Sequence, residues 1–316
     1  MNHFRFGIIN EQMKSPSEWI KHVKQVESLG FSTFLIRDHF VPDFFGEQYA
    51  PLSALIMAAS VTSTLRIGTM VIGNDYRHPA LLAKEIATID ALSGGRFEFG
   101  IGAGWLKSEY DKAGMPYDKN GVRVSRLAEA ITVYKGLFSD APFSFQGEHY
   151  CIDGLHITPQ SVQRPHPPIM IGAGKEKMLK LAGQEADIVG LLTTSVASGV
   201  VDLDPSERFA DAVRQKLTWV KEGAGARYEQ IELSLIPSVI VTDNRQVEAQ
   251  NLITRNQWQG VTVEEVLEMP AVFIGTYEEI TTSMIDRRQE FGFSYYVFSD
   301  DVMETVAPIV GQLSKR

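Results

Sequence analysis

Short apolar β-type runs alternate with amphipathic helical stretches eight times along this 316-residue chain, and that rhythm restricts the fold more than any other feature. Strands that alternate with helices are joined by right-handed crossovers, so they run parallel with both sheet faces covered. Eight of them suit a closed barrel better than an open sheet, which predicts an α/β fold, a (β/α)8 TIM barrel with insertions. The runs read as strands are Phe4 to Ile9, Phe31 to Ile36, Leu65 to Ile72, Arg96 to Ile101, Ile169 to Ile171, Asp187 to Leu192, Leu233 to Thr242 and Ser294 to Phe298. Helix punctuation falls between them: Ser15 as an N-cap before Pro16, Pro79 at a helix start, Gly94-Gly95 at its stop. The rhythm breaks twice. Residues 140–165 hold a hairpin signal at Gln146-Gly147, and 245–275 form an irregular stretch with helical pieces near Trp258 and Val263. No linker divides the chain, so a single domain spanning 1–316 with two insertions is expected.

With 44% hydrophobic residues the chain can bury a large core. A net charge of −9 argues against nucleic acid or an anionic membrane as main partner, since both need clustered Lys and Arg. Cys151 is the only cysteine, so no disulfide forms within the chain. The opening MNHFRFGIIN lacks the pattern of a secretory signal, and no apolar run reaches the roughly 18 residues of a membrane helix. The expected location is the cytoplasm.

Barrel enzymes work at the C-terminal ends of their strands. The residues found there are Arg37-Asp38-His39, Gly73-Asn74-Asp75, Gly102-Ala103-Gly104-Trp105, Gly172-Ala173-Gly174 and Thr193-Thr194. Neither glycine cluster matches a dinucleotide fingerprint or a Walker A loop. A strand ending in Gly172-Ala173-Gly174 before a helix still offers bare N–H groups and a positive helix end, suited to phosphate, although it also reads as a tight turn. His39 can move a proton near neutral pH, with Asp38 or a backbone group setting its tautomer; the alternative is a hydrogen-bonded surface histidine. His3 and His22 read as surface, His78 as a helix-start residue near the pocket mouth. His149, His156 and His166 lie in or beside the hairpin and the connector after it. No metal-ligand spacing, GxSxG elbow or Schiff-base lysine at a strand end is present, so no metal is expected and hydrolase and aldolase readings lack support.

Taken in order, several segments resemble the bacterial-luciferase-like monooxygenase superfamily (LLM class flavin-dependent oxidoreductases), in its coenzyme F420-dependent branch. They are Arg37-Asp38-His39-Phe40, Ile67-Gly68-Thr69-Met70-Val71, His78-Pro79-Ala80, Leu92-Ser93-Gly94-Gly95-Arg96, Gly100-Ile101-Gly102-Ala103-Gly104-Trp105, Arg126-Leu127-Ala128-Glu129, Phe145-Gln146-Gly147-Glu148-His149-Tyr150, and Gln163-Arg164-Pro165-His166-Pro167-Pro168-Ile169 leading to Gly172-Ala173-Gly174. The match thins after residue 200.

The resemblance implies a homodimeric barrel with a flavin-type ring against a bulge in strand three, at a non-prolyl cis peptide between Met70 and Val71. It implies that Gly102, Ala103 and Gly104 border the cofactor tail and that Gly172, Ala173 and Gly174 bind its phosphate. Asp38 and His39 would lie at the ring's reactive edge, His39 serving as proton donor or acceptor. One departure stands out: sugar-phosphate dehydrogenases of the branch carry a catalytic glutamate where this chain has Trp105. That disfavours a sugar-phosphate substrate and implies that His39 acts without that partner. Asn74, Arg77, Trp105 and Trp258 are the expected substrate-pocket residues, the two tryptophans reading equally well as core. Loops 40–50, 105–120 and 245–270 would set specificity.

The cofactor decides the reaction. With coenzyme F420 the expectation is hydride transfer to or from a small organic substrate. With reduced FMN it is a two-component monooxygenase using O2, served by a separate reductase. A non-catalytic flavin-binding protein is the alternative from another class, and a phosphate-binding barrel isomerase a further one.

Overall fold

The structure, a computed structural model, describes residues 3–42, 45–194, 196, 199–201 and 204–314. In chain order the strands are β1 (Arg5–Asn10), β2 (Thr33–Ile36), β3 (Arg66–Thr69), β4 (Ile72–Gly73) and β5 (Phe97–Gly102). An antiparallel hairpin follows, β6 (Phe143–Gln146) with β7 (Cys151–Leu155). Then come β8 (Ile169–Ala173), β9 (Ile188–Leu191), β10 (Glu232–Leu235), the outlying β11 (Ser238–Val241) and β12 (Val272–Gly275), and finally β13 (Phe293–Ser299). Around the main sheet the order is β3-β2-β1-β13-β10-β9-β8-β5, and β5 pairs back onto β3 and β4. Every pairing in that sheet is parallel. With β3 and β4 counted as one interrupted stave, the result is the closed (β/α)8 TIM barrel that the alternation predicts.

Period-two alternation divides the core into two layers. Phe6, Ile8, Phe34, Phe99, Tyr296 and Phe298 point outward and pack beneath the helices. Ile9, Leu35, Met170, Ile188, Tyr295 and Val297 fill the barrel interior, with Met70, Val71 and Ile236 against them. The interruption between β3 and β4 contains a cis peptide bond at Met70–Val71. Thr69 bridges it, its hydroxyl donating to the Gly100 carbonyl at 2.7 Å and accepting from the Gly100 N–H at 3.0 Å. Only a glycine allows this approach, because a Cβ at residue 100 would sit 1.9 Å from the Thr69 carbonyl oxygen.

Three local expectations need correction. The run Leu233 to Thr242 is two strands: β10 stays in the barrel, while β11 pairs with β12 in a sheet of its own. Pro237 lies between them and has no N–H for the ladder. The stretch after Trp105, read as loop, contains a helix over Lys107–Ala113, closed by Gly114 at φ +68°. His22, read as surface, is 8% exposed, its ring edge-on to Phe34 at 5.8 Å. Among the described residues no helix is long and apolar enough to cross a membrane.

Candidate active site at the mouth of the barrel

The C-terminal ends of the strands surround a cavity of about 570 Å³. Glycines shape its floor. Val71, displaced inward at the cis peptide, sits where a Cβ on Gly102 would come within 2.9 Å and one on Gly172 within 3.6 Å. Side chains there would fill the space above the barrel core. Gly104, at φ +73°, has the Tyr110 hydroxyl where a Cβ would be, so the chain after β5 lies flat along the wall. On the next wall Gly172-Ala173-Gly174 leads into the helix Glu176–Glu185, with Lys175 and Lys177 also lining the space. A glycine-flanked strand end that leaves room, a helix N-terminus and two ammonium groups together fit a phosphate-bearing flavin-type cofactor. All of Met70, Val71, Gly102, Ala103, Gly104, Gly172, Ala173 and Gly174 line this one cavity.

His39 reaches the same cavity from the end of β2. Its Nδ1 lies 3.1 Å from Glu109 Oε2. Glu109 is fully buried and also accepts from the Tyr76 hydroxyl at 2.7 Å and from the Phe40 N–H at 2.8 Å. Burial opposes its charge, but those hydrogen bonds outweigh it and hold the carboxyl below the usual carboxylate range. Tyr76 is pushed the opposite way, raised first by burial and then by the same carboxylate. Phe45 stacks on the imidazole at 4.7 Å and Trp105 meets it edge-on at 5.8 Å. A charged carboxylate at Nδ1 keeps the proton on that nitrogen and leaves Nε2 available for exchange. His39 therefore has a carboxylate partner after all. It comes from four residues beyond Trp105, on the helix that the sequence reading passed over.

Asp38 does not orient His39. Its carboxylate is gripped by Arg77 through two bonds of 2.5 and 2.9 Å and accepts the Gly73 N–H at 3.2 Å. This pair ties the end of β2 to the segment after β4. Arg77 acts from behind and is not among the residues lining the cavity. Asn74 is likewise buried behind the wall, its amide donating to the Tyr150 hydroxyl at 3.2 Å. Trp105 does line the cavity. Trp258 belongs instead to a separate small core with Leu252, Val266, Met269 and Ile274 and is not among the described residues lining the cavity; Arg208, which does line it, lies over the Trp258 ring at 5.5 Å. His78 caps the helix Pro79–Ser93, accepting the Ala80 N–H at 3.2 Å.

The sequence reading missed Glu109, Arg123 and Arg208. Arg123 is almost fully buried and donates to the Gly104 carbonyl, to the Asp118 carbonyl at 3.1 Å and to the Tyr117 hydroxyl at 3.2 Å. It thereby clamps the glycine segment after β5. The sequence did hold a signal for Glu109: an acidic residue in the first turn of a short helix following a glycine-rich strand end.

The model of the luciferase-like monooxygenase family matches residues 3–294 of this chain. An F420-dependent glucose-6-phosphate dehydrogenase of Intrasporangium calvum is 33% identical over 187 residues, 57% of this chain and 54% of the relative. An FMNH2-dependent dimethylsulfone monooxygenase of Pseudomonas putida is 28% identical over 189 residues, 57% of this chain and 51% of the relative. The chain thus spans about half the length of each of these two relatives. In fold it is similar to the coenzyme F420-dependent tetrahydromethanopterin reductase of Methanopyrus kandleri, with a TM-score of 0.74 at 21% identity over 99% of this chain and 98% of the other. The chain belongs to the luciferase-like monooxygenase family.

Proposed function

We propose that this protein binds coenzyme F420 and catalyses hydride transfer between it and a small organic substrate, with His39 as the proton donor or acceptor. The observation that carries this reading is the His39–Glu109 pair at the rim of a glycine-floored cavity. Bound F420 supplies a two-electron hydride carrier that reacts poorly with oxygen.

The chain's own residues do the rest. Met70 and Val71 would hold the ring from below. Gly102, Ala103 and Gly104 let the tail pass close to backbone held by Arg123. Gly172, Ala173 and Gly174, at the start of the helix, would receive the phosphate. Glu109 keeps the Nδ1 proton of His39 in place, so Nε2 gives or takes the proton that accompanies the hydride. Phe45 and Trp105 enclose the imidazole and exclude water from that exchange. In this reading a separate reductase recycles the cofactor and the working unit is a homodimer.

The likeness to an FMNH2-dependent monooxygenase supports a second reading, oxygen chemistry with reduced FMN. A fluorescence titration of the purified protein with F420 and FMN, each oxidised and reduced, separates the two. Tighter binding of F420 by tenfold or more, about 1.4 kcal/mol, is expected. Preference for reduced FMN assigns the monooxygenase reading, and binding of neither sinks both.

A further inference from the structure

In a chain of net charge −9, the described residues lining the cavity include five cations, Arg37, Arg123, Lys175, Lys177 and Arg208, against one carboxylate, Asp38. Four of the five are occupied. Arg37 forks onto Glu11 at 2.6 and 3.0 Å. Arg123 clamps the segment after β5, Lys175 pairs with Glu207, and Lys177 donates to the Gly121 carbonyl at 3.3 Å.

Arg208 differs. Its Nε is buried with no hydrogen-bond partner, and no ion pair or hydrogen bond reaches its guanidinium among the described residues. The adjacent Glu207 is already spent on Lys175 and, at 2.7 Å, on the buried Lys216. The Trp258 face behind it, at 5.5 Å, limits how the planar group can turn. Burial lowers its pKa from the ordinary arginine value, yet an arginine side chain stays protonated in proteins. A half-buried cation whose Nε has no partner gains from meeting an anion, and its donor fork matches carboxylate or phosphate oxygens.

We propose that Arg208 anchors an anionic group of the substrate, a carboxylate or a phosphate, and so restricts this enzyme to anionic substrates. The proposal rests on the cavity being the cofactor and substrate site. On that reading the phosphate of the cofactor is received at Gly172-Ala173-Gly174 and the helix N-terminus, which leaves Arg208 for the second ligand.

The test is calorimetric titration of wild type, Arg208→Gln and Arg208→Lys with inorganic phosphate, benzoate and neutral benzamide, on the protein alone and with cofactor bound. Melting temperatures check that the variants fold. Phosphate or benzoate should bind cofactor-loaded wild type better than benzamide, weaken about tenfold or more in Arg208→Gln, and recover in part in Arg208→Lys, with cofactor affinity unchanged throughout. Absence of anion binding in the wild type, or equal binding in Arg208→Gln, overturns the proposal. A tenfold loss of cofactor affinity in Arg208→Gln overturns it too, by assigning the residue to the cofactor. Failure of either cofactor to bind wild type is a separate result and counts against the cofactor reading, while the titrations on the protein alone still report on Arg208.

Discussion

The two ends of the barrel both bury charge, but they use it differently. At the N-terminal end Arg5 reaches Glu98 and, at 2.6 Å, Glu232, while Arg66 grips Glu98 at 2.6 Å and the Tyr295 hydroxyl donates to the same carboxylate at 3.3 Å. Every charge there faces an opposite one, and Tyr295 fills the space above. Arg5 is held above its ordinary value: burial opposes its charge, and Glu98 with Glu232 more than compensates. At the C-terminal end glycines replace bulk, the His39–Glu109 pair borders open volume, and Arg208 has no ionic partner among the described residues. A closed ion network stabilises a plug, whereas the unpaired cation at the other end is what the proposed anion site rests on. This is the division between stability at the bottom and chemistry at the top that parallel barrels show generally.

Breaking the top should leave the bottom intact. His39→Ala is expected to lower turnover by about 10²–10⁴-fold while cofactor affinity stays near wild type, as steady-state kinetics and titration would show. Equal turnover in the variant would remove His39 from the chemistry. Breaking the bottom should do the reverse. Glu98→Ala leaves Arg5 and Arg66 without their shared buried partner and should cost about 3 kcal/mol in urea unfolding, the low end for such pairs because both arginines keep about a quarter of their surface exposed. Cofactor affinity should not change; a parallel loss would mean the two ends are coupled.

A third effect, the smallest, belongs to neither end. His22 lies 3.6 Å from Asp300, but burial, assisted by Lys14, pulls it down to about 4. A histidine with a depressed folded-state pKa takes up its proton more readily once unfolded, so stability rises with pH between about 4 and about 6.5 and falls on acidification through that window. The expected amplitude is on the order of 2 kcal/mol, read from urea midpoints at pH 4.5 and 7, and His22→Asn should flatten it. An unchanged slope in the variant would place the titrating group elsewhere.

Much of the frame was legible from residues alone because its signals are local. Strand and helix alternation, the Pro and Gly punctuation and the glycine pairs after β5 and β8 depend on backbone sterics that each segment carries by itself. The failures were also physical. Pro237 divides an apolar run whose composition is uniform, so hydrophobicity did not reveal that β11 leaves the barrel. Asp38 stands next to His39 in sequence, but adjacent residues on a chain leaving a strand point apart, and the pairing went to Arg77 and Glu109, 39 and 70 positions away. Trp258 reads the same whether it faces a pocket or a satellite core, since both are apolar.

What the sequence determined by itself was the closed barrel, the end of it that carries chemistry, and the segments that line the cavity there. Only the tertiary structure decided which charges meet. Ion pairing depends on the three-dimensional distance between side chains far apart in the chain, and no local periodicity encodes that distance. The pairing of Glu109 with His39, the capture of Asp38 by Arg77 and the lack of any carboxylate for Arg208 among the described residues all emerge only once the barrel closes.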